Sequence, residues 1–195
     1  MSKRKDKQIS FSKHVFEAVA SVLCSCHNGS VRKLCALALA GRAAGEQNGA
    51  DRLGLDCVLV REQDATENHA NWLEKMDVVL ADVPCSGYGI IRKKPDIRYK
   101  DPDTMKELPD LQLQILKNQA RYVKPGGTLL YSTCTLVWEE NEGLVKSFLK
   151  EEPDFYLEPL PLPAVFPKNE SGMLALVSGE YDTDGFFICR LRRKA

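Results

Sequence analysis

The chain has 195 residues, a length typical of one globular domain with a sizeable buried core. Hydrophobic residues make up 44% and charged residues 28% of it, which excludes collagen-like and intrinsically disordered chains. No apolar run reaches the roughly 18 to 20 residues that span a bilayer. No signal peptide follows the basic start at residues 3–7. We therefore expect a cytoplasmic protein that does not insert into a membrane.

Acidic and basic side chains are equal in number, 27 of each, but they are unevenly distributed. Residues 1–48 carry eight basic and three acidic side chains, a net charge of +5, whereas residues 49–195 carry 19 and 24, a net charge of −5. Proteins that bind nucleic acid usually present a basic surface. The net charge of the larger part does not indicate such a partner, so that function must be argued from a site.

The first 48 residues differ in pattern from the rest, and we interpret them as a basic leader of unclear fold. Residues 11–26 could form an amphipathic helix, and residues 33–44 are apolar and rich in alanine, but neither stretch ends in a carboxylate or a glycine loop. Four potential metal ligands are too closely spaced for a usual zinc site: Cys24, Cys26, His27 and Cys35. No metal is predicted, and the odd total of seven cysteines indicates reduced thiols.

From residue 49 onward, strand and helix patterns alternate. Three apolar runs have the length of buried strands: residues 57–60, 77–82 and 127–135, the last entered through a turn at residues 124–127. Helical spacing covers residues 109–123, with Pro109 in the first turn, and residues 139–150. This order predicts an α/β fold with an open parallel sheet. Residues 173–178 and 185–191 predict an antiparallel hairpin that closes the sheet.

Ligands of open α/β sheets bind outside the carboxyl ends of the strands. In this chain that edge holds Asp64, residues 82–89 and residues 132–135. A lone cysteine at a strand end is usually inert packing, but Cys85 and Cys134 follow two neighbouring strands. Pro84 stiffens the first loop, and the glycines after it allow backbone to approach a flat ligand. The pattern favours a pocket over a core.

The residues around these cysteines resemble those of a known family. Residues 82–96 read DVPCSGYGIIRKKPD, residues 131–135 read YSTCT with EENE at 139–142, and residues 184–187 read DGFF. These motifs are similar, in order and separation, to those of the Sun family of RNA 5-methylcytosine methyltransferases. The resemblance covers about residues 49–195 and is strongest to the bacterial enzymes that act on small-subunit ribosomal RNA. It implies a Rossmann-like, S-adenosylmethionine-dependent methyltransferase sheet with a C-terminal antiparallel hairpin.

The resemblance also implies roles for individual residues. Carbon 5 of cytosine is a poor nucleophile, so a thiolate first adds to carbon 6 of the ring, which then accepts a methyl group. By resemblance Cys134 is that nucleophile, Cys85 assists its release, and Asp82 hydrogen-bonds ring nitrogen 3 and the amino group. The cofactor S-adenosylmethionine is expected to bind at Asp64, Asp82 and Pro84.

A basic segment follows the first cysteine motif. Four of its side chains are expected to bind RNA, Arg92, Lys93, Lys94 and Arg98, with Lys100 beside them. Such runs are usually only solvated, but beside this site phosphate contact is favoured. The target base must be unpaired or turned out of its stack. Three aromatic residues could stack on it, Tyr88, Tyr99 and Trp138, although Trp138 could equally belong to the core.

One family feature is missing from the sequence. Residues 1–48 contain no glycine-rich loop similar to AAPGGK and no strand that ends in an acid for the cofactor ribose. We therefore expect residues 49–195 to be the C-terminal part of the catalytic domain, with a sheet incomplete at its N-terminal end in a truncated or rearranged chain. A change of reading frame before residue 49 would explain the break. Two alternatives stay open: a noncatalytic RNA-binding pseudoenzyme, and a thiol redox protein, which the lack of a Cys-x-x-Cys motif disfavours.

Overall fold

A computed structural model describes residues 34–37, 63–162, 166, 169–180 and 183–195. The predicted helix at residues 11–26 and the predicted strand at residues 57–60 lie outside these ranges. The described residues form six strands: β1 Leu34–Leu37, β2 Met76–Asp82, β3 Val123–Thr133, β4 Phe155–Leu157, β5 Met173–Leu176 and β6 Phe186–Arg193. They also form two α-helices, α1 Leu108–Ala120 and α2 Glu142–Glu151. Among them no helix has the length and apolar character needed to cross a bilayer.

The strands form one mixed sheet in the order β1-β2-β3-β6. On the side of β6 away from β3, strand β5 pairs with its first half and strand β4 pairs with its second half. Strands β1, β2 and β3 are parallel to each other. Strand β6 runs antiparallel to β3, and both β4 and β5 run antiparallel to β6. The α/β class and the closing antiparallel hairpin are therefore confirmed. In the β2–β3 register Asp82 is opposite Ser132, so the two strands end at the same level.

Side chains of successive strand residues point to opposite faces of the sheet, which places two apolar clusters on it. Val79 and Leu129 belong to the cluster that contains the buried residues of α1 and α2. Val78 and Leu130 belong to the other cluster, together with Leu176 of β5 and with Leu160 and Phe166. The sheet is thus packed on both faces, as the continuous apolar runs predict.

Several element boundaries differ from those predicted. Helix α2 begins at Glu142 rather than at residue 139, because Trp138–Glu140 forms a 3-10 turn and Asn141 has non-helical angles, φ −117° and ψ −105°. Helix α1 ends at Ala120 rather than at residue 123. Strand β3 ends at Thr133, so Cys134 lies in the loop beyond it rather than in the strand.

Strand β1 is an element that the sequence did not predict. It lies inside the alanine-rich stretch at residues 33–44 and pairs in parallel with β2, from Leu34 opposite Val78 to Leu37 opposite Ala81. Its four residues include only weak strand formers, so local propensity does not identify it. Pairing with the buried strand β2 decides its conformation, and part of the basic leader therefore belongs to the sheet.

Candidate active site

The two predicted cysteines meet at the carboxyl ends of β2 and β3. The Sγ atoms of Cys85 and Cys134 are 3.1 Å apart, and both residues are partly buried. Asp82, the last residue of β2, accepts a hydrogen bond of 3.1 Å at Oδ1 from the Ser132 hydroxyl. Asp82 and both cysteines line one cavity of about 630 Å³. The fold thus joins two cysteines that are 49 positions apart in the chain.

The two thiols lie within hydrogen-bond distance, and either sulfur can be the donor. The hydrogen bond with Cys134 raises the pKa of the Cys85 thiol, and burial raises it further. Cys85 therefore keeps its proton at neutral pH. Cys189 provides a contrast, because it lies fully buried in β6 and burial alone raises the pKa of its thiol. Cys189 has the properties of an inert core thiol.

The loop after Cys85 contacts the loop after β3 through backbone atoms. Gly89 N donates to Cys134 O at 3.0 Å, and Gly185 N donates to Gly89 O at 2.7 Å. A Cβ atom at residue 89 would lie 2.2 Å from Gly185 O and 2.8 Å from Cys134 O. The sequence predicted that the glycines of this loop allow close approach of a ligand. At Gly89 the backbone of the chain itself makes that approach.

The sequence predicted no role for two buried polar residues that lie beside the site. The Glu140 carboxylate is 2% exposed and accepts hydrogen bonds from Ser86 N at 2.9 Å and from Gln112 Nε2 at 2.8 Å. Gln112 Nε2 also donates to Pro84 O at 2.8 Å. Glu140 lies in the EENE motif, but Gln112 has no motif. The one sequence feature that could have identified Gln112 is its position as a polar residue on the apolar face of α1, where Ile115 and Leu116 are buried.

The basic segment divides into two groups. Arg92 Nε and Lys93 Nζ lie 3.3 Å and 2.8 Å from the carboxylate of Asp184, whose side chain is fully buried. These two predicted RNA-binding residues therefore hold the DGFF segment in place. Lys94 lines the cavity, and Arg98 is exposed to solvent. Phosphate contact remains a prediction for all four residues.

The aromatic candidates differ in exposure. Tyr99 is 87% exposed and Trp138 is 54% exposed, so Trp138 does not belong to the core. Lys146 Nζ lies 5.6 Å from the centre of the Trp138 ring. Tyr88 is partly buried in a 3-10 turn. Tyr99 follows two residues after Ile97, which lines the cavity.

Asp64 does not line the cavity that contains the cysteines. Its Oδ1 atom accepts hydrogen bonds from Thr66 N at 2.8 Å and from Thr66 Oγ1 at 2.7 Å. The hydroxyl bond and then the backbone bond lower the pKa of the Asp64 carboxyl group, which is fully exposed. Asn118 on α1 holds this loop by donating to Ala65 O at 2.8 Å.

Comparison with known proteins gives a consistent result. Residues 39–192 match the family model described as 16S rRNA methyltransferase RsmB/F. The probable ribosomal RNA small subunit methyltransferase B of Bacillus subtilis is 43% identical over 156 residues, which cover 76% of this chain and 34% of that protein. The crystal structure of PH0851 has a TM-score of 0.79 at 29% identity, covering 91% of this chain and 45% of that one. The structure of NSun6 from Pyrococcus horikoshii with SFG has a TM-score of 0.68 at 26% identity, covering 83% and 41%.

The fold is that of the Rossmann-like, S-adenosylmethionine-dependent methyltransferases. The chain belongs to the RsmB/F family of 16S rRNA methyltransferases. The predicted family is therefore confirmed. The matched region begins at residue 39, whereas the sequence motifs placed its start at about residue 49. The chain spans about a third of the length of the curated relatives it matches.

Proposed function

We propose that this protein methylates carbon 5 of a cytosine in RNA, ribosomal RNA by its family, through a covalent adduct on Cys134 with S-adenosylmethionine as methyl donor. The observation that carries the proposal is the pair of sulfur atoms 3.1 Å apart in a cavity that also contains Asp82. A nucleophilic thiol, a second thiol beside it and a carboxyl group can together support addition to a pyrimidine ring and its reversal. Such an enzyme would act in the cytoplasm and would need no metal ion.

In the first step the Cys134 thiolate attacks carbon 6 of the cytosine ring. A carbon–sulfur bond forms, and the displaced electron pair gives carbon 5 nucleophilic character. In its protonated form Asp82 would donate a hydrogen bond to ring nitrogen 3, where negative charge develops during the addition, and its other oxygen would accept from the exocyclic amino group. The Ser132 hydroxyl, 3.1 Å from Asp82 Oδ1, fixes the orientation of this carboxyl group.

Release of the ring reverses the addition. A base removes the proton from carbon 5, the double bond between carbons 5 and 6 re-forms, and the bond to Cys134 breaks. The departing sulfur takes up a proton or leaves as a thiolate. Cys85 is placed to give that proton, because its Sγ atom lies 3.1 Å from Cys134 Sγ. We therefore assign Cys85 to the release step.

Bound S-adenosylmethionine would supply an electrophilic methyl group for carbon 5. The residues proposed to hold it are Asp64, Asp82 and Pro84. The carboxylates of the site fit this ligand, because they accept hydrogen bonds from its amino and hydroxyl groups. Asp64 is exposed, and its hydrogen bonds from Thr66 both go to Oδ1. Asp64 lies outside the cysteine cavity, which suits an extended ligand whose adenine end is remote from the reacting ring.

Titration calorimetry with S-adenosylmethionine tests the cofactor assignment without requiring activity. We expect the parent chain to bind and Asp64→Asn to bind more weakly. Asp101→Asn is a matched control, because Asp101 Oδ1 also accepts from the backbone two residues further on, Asp103 N at 2.9 Å, in an exposed turn. No heat of binding at millimolar cofactor would instead favour the noncatalytic RNA-binding alternative.

Covalent trapping tests the nucleophile. RNA that contains 5-fluorocytosine should form an adduct with the parent chain and with Cys85→Ala, but not with Cys134→Ala. Cys189→Ala is the control for loss of a buried thiol outside the cavity. An adduct that survives Cys134→Ala would contradict the assignment.

RNA binding is proposed for the basic segment, with the largest share for Lys94 and Arg98. Arg92 and Lys93 contact Asp184, so they would have to leave a buried carboxylate to bind a phosphate. The salt dependence of RNA binding measures this directly, since each phosphate contact contributes to its slope. Lys94→Gln should reduce that slope by about one unit.

A further inference from the structure

The peptide groups on both sides of Cys85 are held by the same two buried side chains. The carbonyl before it, Pro84 O, accepts from Gln112 Nε2 at 2.8 Å. The amide after it, Ser86 N, donates to Glu140 Oε2 at 2.9 Å. Gln112 Nε2 also donates to Glu140 Oε2 at 2.8 Å, so the two side chains act as one unit. The backbone at Cys85 is thereby fixed from both directions.

The same unit is attached to the segment that carries Cys134. Tyr131, in β3, donates its hydroxyl proton to Glu140 O at 2.7 Å. A second link joins the hydroxyl groups of Ser86 and Thr135 at 2.8 Å. Glu140 therefore connects the loop of Cys85 to the strand that ends just before Cys134.

A stabilising role alone does not explain this arrangement. Glu140 is 2% exposed, and no ion pair to it is found among the described residues. A buried carboxylate balanced only by N–H donors is costly relative to an apolar residue of similar size. Glu140 Oε2 accepts hydrogen bonds from Ser86 N and Gln112 Nε2. Ser86 directly follows Cys85, and Gln112 also binds the carbonyl directly before it, so both donors fix the backbone around Cys85.

We infer that Glu140 and Gln112 are positioning residues that set the place of the Cys85 sulfur relative to the Cys134 sulfur and thereby control release of the product. The geometric part of this inference is independent of the reaction. The catalytic part rests on the proposed function, in which Cys85 gives a proton to the departing Cys134 sulfur.

The geometric part is tested with dibromobimane, which becomes fluorescent when it bridges two thiols. In the full chain, bridging of Cys85 to Cys134 is identified by mapping the linked peptides. Gln112→Met removes both donated hydrogen bonds while keeping the side-chain length, and we expect bridging about tenfold slower than in the parent chain.

Gln119→Met is the matched control for this variant. Gln119 lies on the same helix and is also fully buried, but its amide atoms make no hydrogen bond within the described part of the chain. Its bridging rate should stay within about twofold of the parent rate. A Gln112→Met chain that bridges as fast as Gln119→Met would overturn the inference.

A second pair of variants keeps the test valid if Gln112→Met does not fold. Glu140→Gln retains an oxygen that can accept both hydrogen bonds, whereas Glu140→Met retains none. We expect bridging to be retained in the first and to fall about tenfold in the second. Equal bridging in the two variants would overturn the inference.

The catalytic part is tested on RNA that contains unmodified cytosine, by following the covalent complex. Gln112→Met should form it at nearly the parent rate but release it about tenfold more slowly, so that the complex accumulates. A general loss of stability would instead lower both rates. If bridging falls in Gln112→Met but neither the parent chain nor any variant forms a covalent complex with RNA, the proposed function fails while the positioning role stands. If complexes form and are released at the parent rate, the positioning role in release fails.

Discussion

Substitution of Gly89 by alanine tests the close backbone contact beside the nucleophile. The added Cβ would lie 2.2 Å from Gly185 O, 2.6 Å from Gly185 C and 2.8 Å from Cys134 O. All three neighbours are backbone atoms, so no side-chain rotation can relieve the overlap. Carbon and oxygen atoms in contact are about 3.3 Å apart, so the backbone segments at Gly89 and Gly185 must move apart by roughly 1 Å.

The expected cost follows from what this separation breaks. Two hydrogen bonds are lost, from Gly89 N to Cys134 O and from Gly185 N to Gly89 O, each worth about 1 kcal/mol. Overpacking adds about 1–3 kcal/mol. Gly89→Ala should therefore lower the free energy of unfolding by roughly 3–5 kcal/mol. The displaced Cys85 loop should also slow bridging of the two cysteines by dibromobimane.

Urea unfolding of the whole chain measures the effect, with Gly126→Ala as the control. Gly126 has φ +72° and no atom within 4 Å of an added Cβ, so only the left-handed conformation opposes the substitution. That control should cost about 1 kcal/mol and leave bridging unchanged. If Gly89→Ala lowers the free energy of unfolding no more than Gly126→Ala does, the backbone at residue 89 is not as tightly enclosed as the distances require.

Three further predictions use other parts of the structure. In urea unfolding, Lys93→Met should lower the free energy of unfolding by about 3 kcal/mol, because it leaves the fully buried Asp184 carboxylate with one cation instead of two. Asp184→Asn should lower it less, because that variant only returns the two cations to water. Equal effects of the two variants would contradict this prediction. Alkylation of Cys85 by iodoacetamide should stay slow up to pH 9.0, the ordinary pKa of a thiol, because its raised pKa leaves little thiolate. Cys134→Ala removes the neighbouring sulfur that raises this pKa and should accelerate alkylation of Cys85 at pH 9, as measured by peptide mass spectrometry. Phe148→Ala should lower the free energy of unfolding by about 3–5 kcal/mol, since the ring is fully buried 5.5 Å from that of Phe155, and an unchanged thermal transition would contradict it.

The sequence predicted the central sheet because its signals there are local. The apolar run at residues 77–82 and the run that begins at residue 127 became β2 and β3, and the terminal hairpin became β5 and β6. Parallel strands carry their ligand sites at one edge, so the sequence also indicated that Cys85 and Cys134 lie near each other. It did not indicate that their sulfur atoms are in contact.

Short elements escaped prediction because their conformation depends on a partner strand. The four residues of β1 have no strand pattern of their own and are extended because β2 lies beside them. The three residues of β4 are similarly set by pairing with β6, from Phe155 opposite Arg193 to Leu157 opposite Leu191. A periodic pattern needs more residues than either strand contains.

For this protein the sequence alone determined the family and the strand–helix alternation, and it predicted Cys85, Cys134 and Asp82 as site residues, because motifs and periodicity are local properties. Only the tertiary structure decided which polar groups pair across long chain separations. It assigned Arg92 and Lys93 to the buried Asp184, and Gln112 to the backbone around Cys85, 28 positions from Pro84. The physical reason is that a buried polar group must find a partner, and that partner is fixed by packing rather than by sequence distance.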